Sequence, residues 1–377
     1  MLAVSREEFI SFFKEIEDPR EDEKLLYPLH EVLFLVFVSV LCCAESWQEI
    51  INFGTEKLHI LRKYFAYENG LPTKSSLSRI FSLIDKKHME NWLETIAMSS
   101  IKDLLKDEHL AIDGKSLRGK QKMEGSSQGA HVVNLYATKL GLVLSQKTVP
   151  NKGNELAGIK EIIDNSNLKD TVVSIDAIGC RKEIAQKIYE KKGNYFLSLK
   201  DNEPKTKAGI SALFLSANNI ESYKTENTGH GRTEVRTCHY LELNEELIAQ
   251  YSQWHGLKSV CKIESLRRCG DKETTKIKYY LSSQRANAEK HLSLARNHWA
   301  IENNLHWVLD VMFNEDSSLI RKNNAAENIS AVRKMVINTL KKFKTQTGSK
   351  AGINHLRKSA GWNDENLTNI LNSWITT

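Results

Sequence analysis

Two short apolar runs of the sequence end in an aspartate. HLAID ends at Asp113, and VVSID ends at Asp176. Functional groups of open α/β sheets gather where strands end, so these residues would lie side by side if the two strands are neighbours. Two carboxylates that close raise each other's pKa unless they share a proton or a cation. Either aspartate alone would be an ordinary turn residue, but the repeated pattern favours a magnesium-type site built from hard oxygen ligands.

Basic residues follow both aspartates. Lys115, Arg118 and Lys120 come after the first, and Arg181 and Lys182 after the second. Cations beside a metal-binding carboxylate pair suit a phosphodiester backbone. The alternative is that these side chains are simply solvated at the surface.

A third acid, Glu302, lies beside an apolar stripe in a segment, 287–313, whose spacing predicts one long helix. His298 and His306 lie four residues before and after Glu302 and share its helix face. The three residues could bind zinc, but the chain offers no further His/Cys cluster. A polar helix face with two ordinary histidines is the other interpretation.

The composition is that of a globular protein, with 41% hydrophobic and 27% charged residues over 377 positions. The net charge of +6 permits a nucleic-acid partner without requiring one. The six cysteines form no CxxC pair, which favours reduced thiols in the cytoplasm. The longest apolar run, 32–44, is too short to cross a bilayer, so no membrane partner is expected.

The periodicity divides the chain into helical and mixed parts. Residues 1–108 are predicted to be helical, with one helix over about 46–66 and the next over 73–85, capped by Thr73 or a nearby serine. This helix pair is compatible either with major-groove binding or with plain packing. From 109 the order strand, hairpin, helix, strand, helix, strand predicts an α/β fold, a mixed sheet with helices on its faces. A polar, β-leaning stretch follows, and the long helix comes after it.

Several segments together resemble the DDE transposases of bacterial insertion sequences, in particular the H-repeat-associated (Rhs element), or ISAs-type, subgroup. They are EDPR, YPLHEVLFLVF, IDGKSLRG, VVSIDAIGC, YFLSLKDNEP, HGRTEVR and NHWAIENNLHWVLDVMFNED. The resemblance covers almost the whole chain, in order and at plausible spacing.

This resemblance implies a ribonuclease H-like mixed-sheet core with a β-rich insertion, preceded by an all-helical N-terminal domain. Its domains would be 1–108 (helical, a candidate for DNA binding), 109–205 (first part of the core), 206–285 (insertion) and 286–377 (end of the core and C-terminal helices). The catalytic and metal-binding acids would be Asp113, Asp176 and Glu302.

The chain departs from the wider family pattern around its third acid. Related transposases carry a tyrosine and an arginine before the glutamate and a basic residue after it, where this chain has Ala295, His298 and Leu309. Arg296 is a candidate substitute for the arginine.

The chemistry implied by the resemblance is phosphodiester hydrolysis at element ends, followed by attack of the freed 3′-hydroxyl on target DNA. Two Mg²⁺ ions, replaceable by Mn²⁺, would lie about 3.5–4 Å apart between the acids. The partner would be double-stranded DNA, both terminal repeats and target, bound by a homodimer that pairs two ends, with a cytoplasmic, nucleoid-associated location. Candidate DNA contacts are Lys115, Arg118, Lys120, Arg181, Lys182, Lys200, Arg232, Arg236, Arg296, His298 and Trp299. A place in the core is favoured for Trp299, with base stacking as its alternative.

Three competing functions stay open at this point. A metal nuclease or junction resolvase on the same fold would share the acids but lack strand transfer. A DNA-binding protein descended from a transposase could have lost its chemistry. A paired-carboxylate glycosidase is the weakest of the three, because cationic surroundings suit phosphate better than neutral sugar.

Overall fold

The computed structural model describes residues 4–21, 25–119, 130–229 and 231–375. Lys120, a predicted DNA contact, lies outside them. The chain forms two compact units. Unit 1 contains Met1–Leu104, Gly114–Gly158 and Asn303–Thr377, and unit 2 contains Leu105–Asp113 and Ile159–Glu302.

Unit 1 begins with six helices, in agreement with the helical pattern of that part of the sequence. They are α1 (Arg6–Lys14), α2 (Leu29–Leu41), α3 (Trp47–Glu56), α4 (Leu58–Leu61), α5 (Lys74–Leu83) and α6 (Lys86–Ile101). The apolar helix α2 is buried along nearly its whole length. Thr73 caps α5 by accepting a hydrogen bond from the backbone N–H of Ser76. The single helix expected from about 46 to 66 is interrupted at Lys57, between α3 and α4.

The rest of unit 1 is a hairpin and the C-terminal helices. Strands β2 (His131–Ala137) and β3 (Leu142–Val149) pair antiparallel beside the last residues of β1 (His109–Ser116), which the two units share. Gly141 takes a φ of 72° in the predicted hairpin turn, a conformation that glycine adopts without strain. The C-terminal helices are α12 (Trp307–Met312), α13 (Ala325–Thr347), α14 (Ile353–Trp362) and α15 (Asp364–Asn372).

Unit 2 is a mixed sheet with helices, so the α/β class predicted from the sequence is confirmed. Its strand order is β1-β4-β5-β9-β8-β7-β6. The pairs β1/β4 and β4/β5 are parallel, and the others are antiparallel. The strands that follow β3 are β4 (Val172–Ile175), β5 (Asn194–Leu199), β6 (Glu221–Gly229), β7 (Arg232–Glu242), β8 (Ser259–Cys269) and β9 (Lys272–Ser282).

The helices that accompany this sheet follow in chain order. They are α7 (Glu155–Asn165, which starts in unit 1), α8 (Lys182–Glu190), α9 (Pro204–Ser216), α10 (Glu245–Gln250) and α11 (Ala288–His298). The long helix predicted over 287–313 is not continuous: α11 ends at His298, a π-helical turn spans Glu302–His306, and α12 follows. Such turns recur at functional sites.

No helix in the described part of the chain is long and apolar enough to span a membrane.

A cluster of charged groups lies inside unit 1 and includes Lys115, two residues after Asp113 on β1. The ammonium of Lys115 lies 2.6 Å from a carboxylate oxygen of Asp310, 3.1 Å from Asp316 and 3.9 Å from Glu315. The guanidinium of Arg333 also lies 3.4 Å from Glu315. Burial lowers the pKa of Lys115, but the nearby carboxylates, Glu315 first, outweigh it and raise that pKa above its usual value. Lys115 therefore stays charged as part of the fold of unit 1.

Replacing Lys115 by alanine should lower the free energy of unfolding by roughly 3–5 kcal/mol, because partly buried carboxylates would lose their counter-charge. Arg118→Ala is the matched control: its side chain is 69% exposed and contacts Asp316 at 3.1 Å, so its cost should stay below about 1 kcal/mol. Urea unfolding of both variants measures the difference. Equal stabilities would show that the Lys115 contacts contribute little.

Candidate active site

The first two acids emerge from neighbouring strands of unit 2. Strands β1 and β4 are parallel, and Ile112 lies directly opposite Ile175. One residue further along each strand come Asp113 and Asp176, so the same register sets the two aspartates side by side, about one strand spacing of 4.8 Å apart. The sequence analysis left open whether these two strands are neighbours, and the structure shows that they are.

The turn after β4 fixes the second aspartate. Asp176 caps a short 3-10 turn, Ala177–Gly179, and one of its carboxylate oxygens accepts a hydrogen bond of 2.9 Å from the backbone N–H of Ile178. A Cβ atom at Gly179 would collide with the side chain of Ile175. The turn therefore packs tightly onto the strand and holds the Asp176 backbone in place.

The third acid reaches the first from the helical segment after α11. A carboxylate oxygen of Glu302 lies within 4.8 Å of one of Asp113. Glu302 is exposed and opens the π-helical turn, whereas Asp113 and Asp176 are half-buried. Carboxylate oxygens at this separation suit a hard divalent cation, which takes oxygen ligands at about 2.0–2.6 Å.

The three acids line one cleft of about 190 Å³ in unit 2. The cleft floor is formed by alternate residues of adjacent strands, because period-two side chains share one face of a sheet. The floor residues are Ser174 and Asp176 on and just after β4, Phe196, Ser198 and Lys200 on and just after β5, and Lys278 and Tyr280 on β9. His298, Trp299, Ile301 and Glu302 complete the lining.

Two lysines give the cleft positive charge beside its acids. Burial lowers the pKa of Lys278, and the positive charges of Lys200 and Lys276 lower it further, while Asp176 acts in the opposite direction. The Lys278 ammonium lies 5.2 Å from the ring centroid of Trp299, a cation–π distance. Carboxylates and ammonium groups together suit an anionic substrate held next to a cation.

A chain of hydrogen bonds runs beneath the helical wall of the cleft. The hydroxyl of Ser174 lies 2.7 Å from Nε2 of the buried His109 and 2.9 Å from Nδ1 of His298. His298 is therefore oriented by the sheet through Nδ1. Ser174 and His109 were not singled out from the sequence, although Ser174 lies two residues before Asp176 and so shares its face.

Lys278 and Tyr280 were also missed. Their alternation in KIKYYLSS could have suggested a common face, but the sequence does not reveal which strand β9 joins. In the structure β9 pairs with β5 and places Tyr280 opposite Ser198.

The predicted DNA contacts fall in different places. Lys200, His298 and Trp299 line the cleft with the acids. Trp299 is 53% exposed, so the place in the core favoured from the sequence is wrong. Lys115 belongs to the buried ion cluster of unit 1, and Arg118 pairs with Asp316 at its edge.

The remaining basic candidates lie elsewhere in unit 2. Arg181 and Lys182 are half-buried at the start of α8, and Arg296 is exposed on α11. Arg232 and Arg236 lie on β7, where both contact Glu234.

A substitution at Gly179 tests the packing of the Asp176 turn. Gly179→Ala should lower the free energy of unfolding by about 1–3 kcal/mol, because the added methyl group overpacks the contact with Ile175. Gly229→Ala is the control, since a Cβ there meets nothing within 4 Å, and its effect should stay within about 0.5 kcal/mol. Chemical denaturation measures the free energy of unfolding of both variants. A Gly179→Ala variant as stable as the wild type would refute the tight packing.

Comparisons with known proteins show the family of this chain. The family model described as "Transposase DDE domain" matches residues 104–339, and "DDE_Tnp_1-associated" matches residues 10–96. "Putative transposase YncI" of Escherichia coli O157:H7 is 35% identical over 98% of this chain and 96% of its own length. "H repeat-associated putative transposase YhhI" of Escherichia coli (strain K12) is 33% identical over 94% of this chain and 95% of its own length.

Among solved structures, a piggyBac transposase synaptic complex with hairpin DNA has a TM-score of 0.45 and 12% identity, covering 98% of this chain and 80% of its own. That likeness is too low to carry an argument. The matches in sequence are sufficient without it: they extend over nearly the full length of this chain and of its relatives. The chain belongs to the DDE transposase family, in its H-repeat-associated group.

Proposed function

We propose that the protein is an active DNA transposase, which hydrolyses phosphodiester bonds at element ends and joins the freed 3′-hydroxyl to target DNA. The observation that carries this proposal is the pair Asp113 and Asp176 on adjacent parallel strands, with a Glu302 oxygen within 4.8 Å of Asp113. Three carboxylates in one cleft repel one another, and a divalent cation bound between them would relieve that repulsion.

The donor set fits a divalent metal. Asp113, Asp176 and Glu302 offer oxygen ligands, the kind that Mg²⁺ and Mn²⁺ prefer. We propose two Mg²⁺ ions as the resident metals. When bound, such ions lower the pKa of a water or 3′-hydroxyl and stabilise the leaving 3′-oxygen.

The chain's own side chains then bind and orient the substrate. Lys200 and Lys278 lie on the cleft floor, where their ammonium groups can contact the phosphates next to the cut bond. Trp299 is exposed at the cleft wall and offers a face for a base. His298, held through Ser174, lies where it can donate to a phosphate oxygen.

The same proposal includes the fold, the further DNA contacts, the dimer and the location that the sequence predicts. The core is ribonuclease H-like, with the domain boundaries predicted from the sequence. Arg181, Lys182, Arg232, Arg236 and Arg296 contact duplex DNA. Two copies pair the two element ends, in the bacterial cytoplasm.

Two alternatives differ from this proposal in what they predict. A decayed DNA-binding descendant would have no need of three acids, yet all three are present and two are aligned by strand register. A ribonuclease H-like nuclease would use the same cleft and hydrolyse DNA, but it would not join ends. Strand joining is therefore the reaction that separates a transposase from a nuclease.

The test is cleavage and joining of DNA that carries the ends of the encoding element, in Mg²⁺, Mn²⁺ or EDTA. Asp113→Asn, Asp176→Asn and Glu302→Gln should each lower the rate of both reactions about 10³-fold or more, because each removes a metal ligand. DNA binding measured by gel shift should survive in all three.

Asp201→Asn is the matched control, since this carboxylate lies just after β5 but its side chain is 89% exposed and pairs with Lys207. Its rates should equal those of the wild type. Binding without any wild-type cleavage would favour the decayed protein, cleavage without joining would favour the nuclease, and cleavage by Glu302→Gln would mean that the third acid is another residue.

A further inference from the structure

The four strands β6 to β9 carry different charges on their two faces. Directly opposed residues of adjacent antiparallel strands share a face, and successive residues alternate between faces. A row is a set of four directly opposed residues, one from each strand. The register therefore places all four side chains of a row on the same face of the sheet, and successive rows alternate between the two faces.

One face, here termed the cationic face, consists of five alternate rows that begin at Glu221, Tyr223, Thr225, Asn227 and Gly229 of β6. Across the four strands, these rows contain six basic residues and two acids. The basic residues are Lys278, Arg236, Lys276, Arg267, Arg232 and Lys272, and the acids are Glu221 and Glu234.

The opposite face, here termed the balanced face, consists of the intervening rows. They contain three basic residues, Lys224, Lys262 and Arg268, and three acids, Glu226, Glu264 and Glu273. Two of these basic residues are paired within the face: Lys262 lies 2.5 Å from Glu264, and Arg268 lies 2.7 Å from Glu273. The contacts of Arg232 and Arg236 with Glu234 are likewise confined to the cationic face.

The cationic face is continuous with the floor of the cleft. Lys278 and Tyr280, two residues apart on β9, lie on this face and also line the cleft. Helix α11 covers the inner part of the face, where Cys238, Cys261 and Ile263 are buried against it. Beyond the helix the face is open to solvent.

The outer rows are accessible to a large partner. Arg232, Arg267, Lys272 and Lys276 are all exposed. From Lys278 to Lys272 the strand extends six residues, about 20 Å. That length corresponds to roughly six phosphates of one DNA strand at about 3.4 Å each along the helix axis.

We propose that the cationic face binds the phosphate backbone of the duplex whose cleaved phosphate occupies the carboxylate cleft. The inference rests on the proposed function, which places that phosphate in the cleft, and it adds the path of the flanking duplex. Like charges gathered on one face repel one another when no partner is bound. A polyanion relieves that repulsion, and the balanced face of the same strands has no such excess.

The test compares two triple variants that each remove three positive charges from the same four strands. Arg267→Gln/Lys272→Gln/Lys276→Gln alters the cationic face, and Lys224→Gln/Lys262→Gln/Arg268→Gln alters the balanced face. Binding of a fluorescent 30-base-pair duplex of arbitrary sequence is measured in EDTA over a series of salt concentrations.

The cationic-face variant should reduce the slope of log K against log [salt] by about 2 to 3 and weaken binding at least about tenfold at 100 mM salt, because each lost phosphate contact removes close to one unit of slope. The balanced-face variant should change the slope by less than about 0.5. Equal losses in the two variants, or no loss in either, would overturn the proposal.

Cys269 provides a second measurement that does not depend on altered charge. It is exposed in the outermost row of the cationic face, opposite Lys272. Saturating duplex should slow its alkylation by a maleimide at least about fivefold, a protection typical of a covered interface. In Cys269→Ser/Glu273→Cys the thiol lies on the balanced face and should react at the same rate with and without DNA. Protection of the second thiol and not of Cys269 would place the duplex on the other face.

These measurements need neither metal nor cleavage, so the two proposals fail separately. If the two triple variants differ in DNA binding but the wild type shows no metal-dependent cleavage, the DNA-binding surface is supported and the transposase chemistry is refuted. If the wild type cleaves DNA but the two triple variants bind DNA equally well, the chemistry is supported and the role of the cationic face is refuted.

Discussion

The parallel pairing of β1 with β4 is the constraint on which the rest of the site depends. Its register sets Ile112 opposite Ile175, so the two aspartates that follow lie side by side. Adjacent carboxylates in a half-buried cleft repel each other, and a cation bound between them would relieve that repulsion. The tight turn at Gly179, the hydrogen bond from Ile178 to Asp176 and the approach of Glu302 all build on that pairing.

Positive charge near these acids has two different roles. Lys115 follows Asp113 by two residues, but its ammonium lies in the ion cluster of unit 1, where it neutralises Asp310 and Asp316. Lys200 and Lys278 come from more distant strands and line the cleft itself. Proximity in sequence to one of the acids is thus a poor guide to which basic side chains line the cleft, because the partners of each side chain come from elements that are distant in sequence.

The sequence was informative where a local pattern determines the structure. The capped helix α5, the hairpin at Gly141, the buried strands that end in aspartate and the α/β order all follow from periodicity and turn chemistry. What it could not supply was pairing between distant strands. Lys278, Tyr280 and the whole cationic face become visible once β9 is known to lie between β5 and β8. The break after His298, the exposure of Trp299 and the π-helical turn at Glu302–His306 likewise have no simple sequence pattern.

The chain belongs to the DDE transposase family, and the proposed chemistry requires that the three acids of this chain bind a divalent metal. Direct binding of Mn²⁺, followed by the loss of its free-ion electron paramagnetic resonance signal, tests that claim without DNA or turnover. We expect stoichiometric Mn²⁺ binding by the wild type and by the control Asp201→Asn. Binding should be at least about tenfold weaker in Asp113→Asn, Asp176→Asn and Glu302→Gln. Undiminished Mn²⁺ binding by Asp113→Asn or Asp176→Asn would contradict that claim.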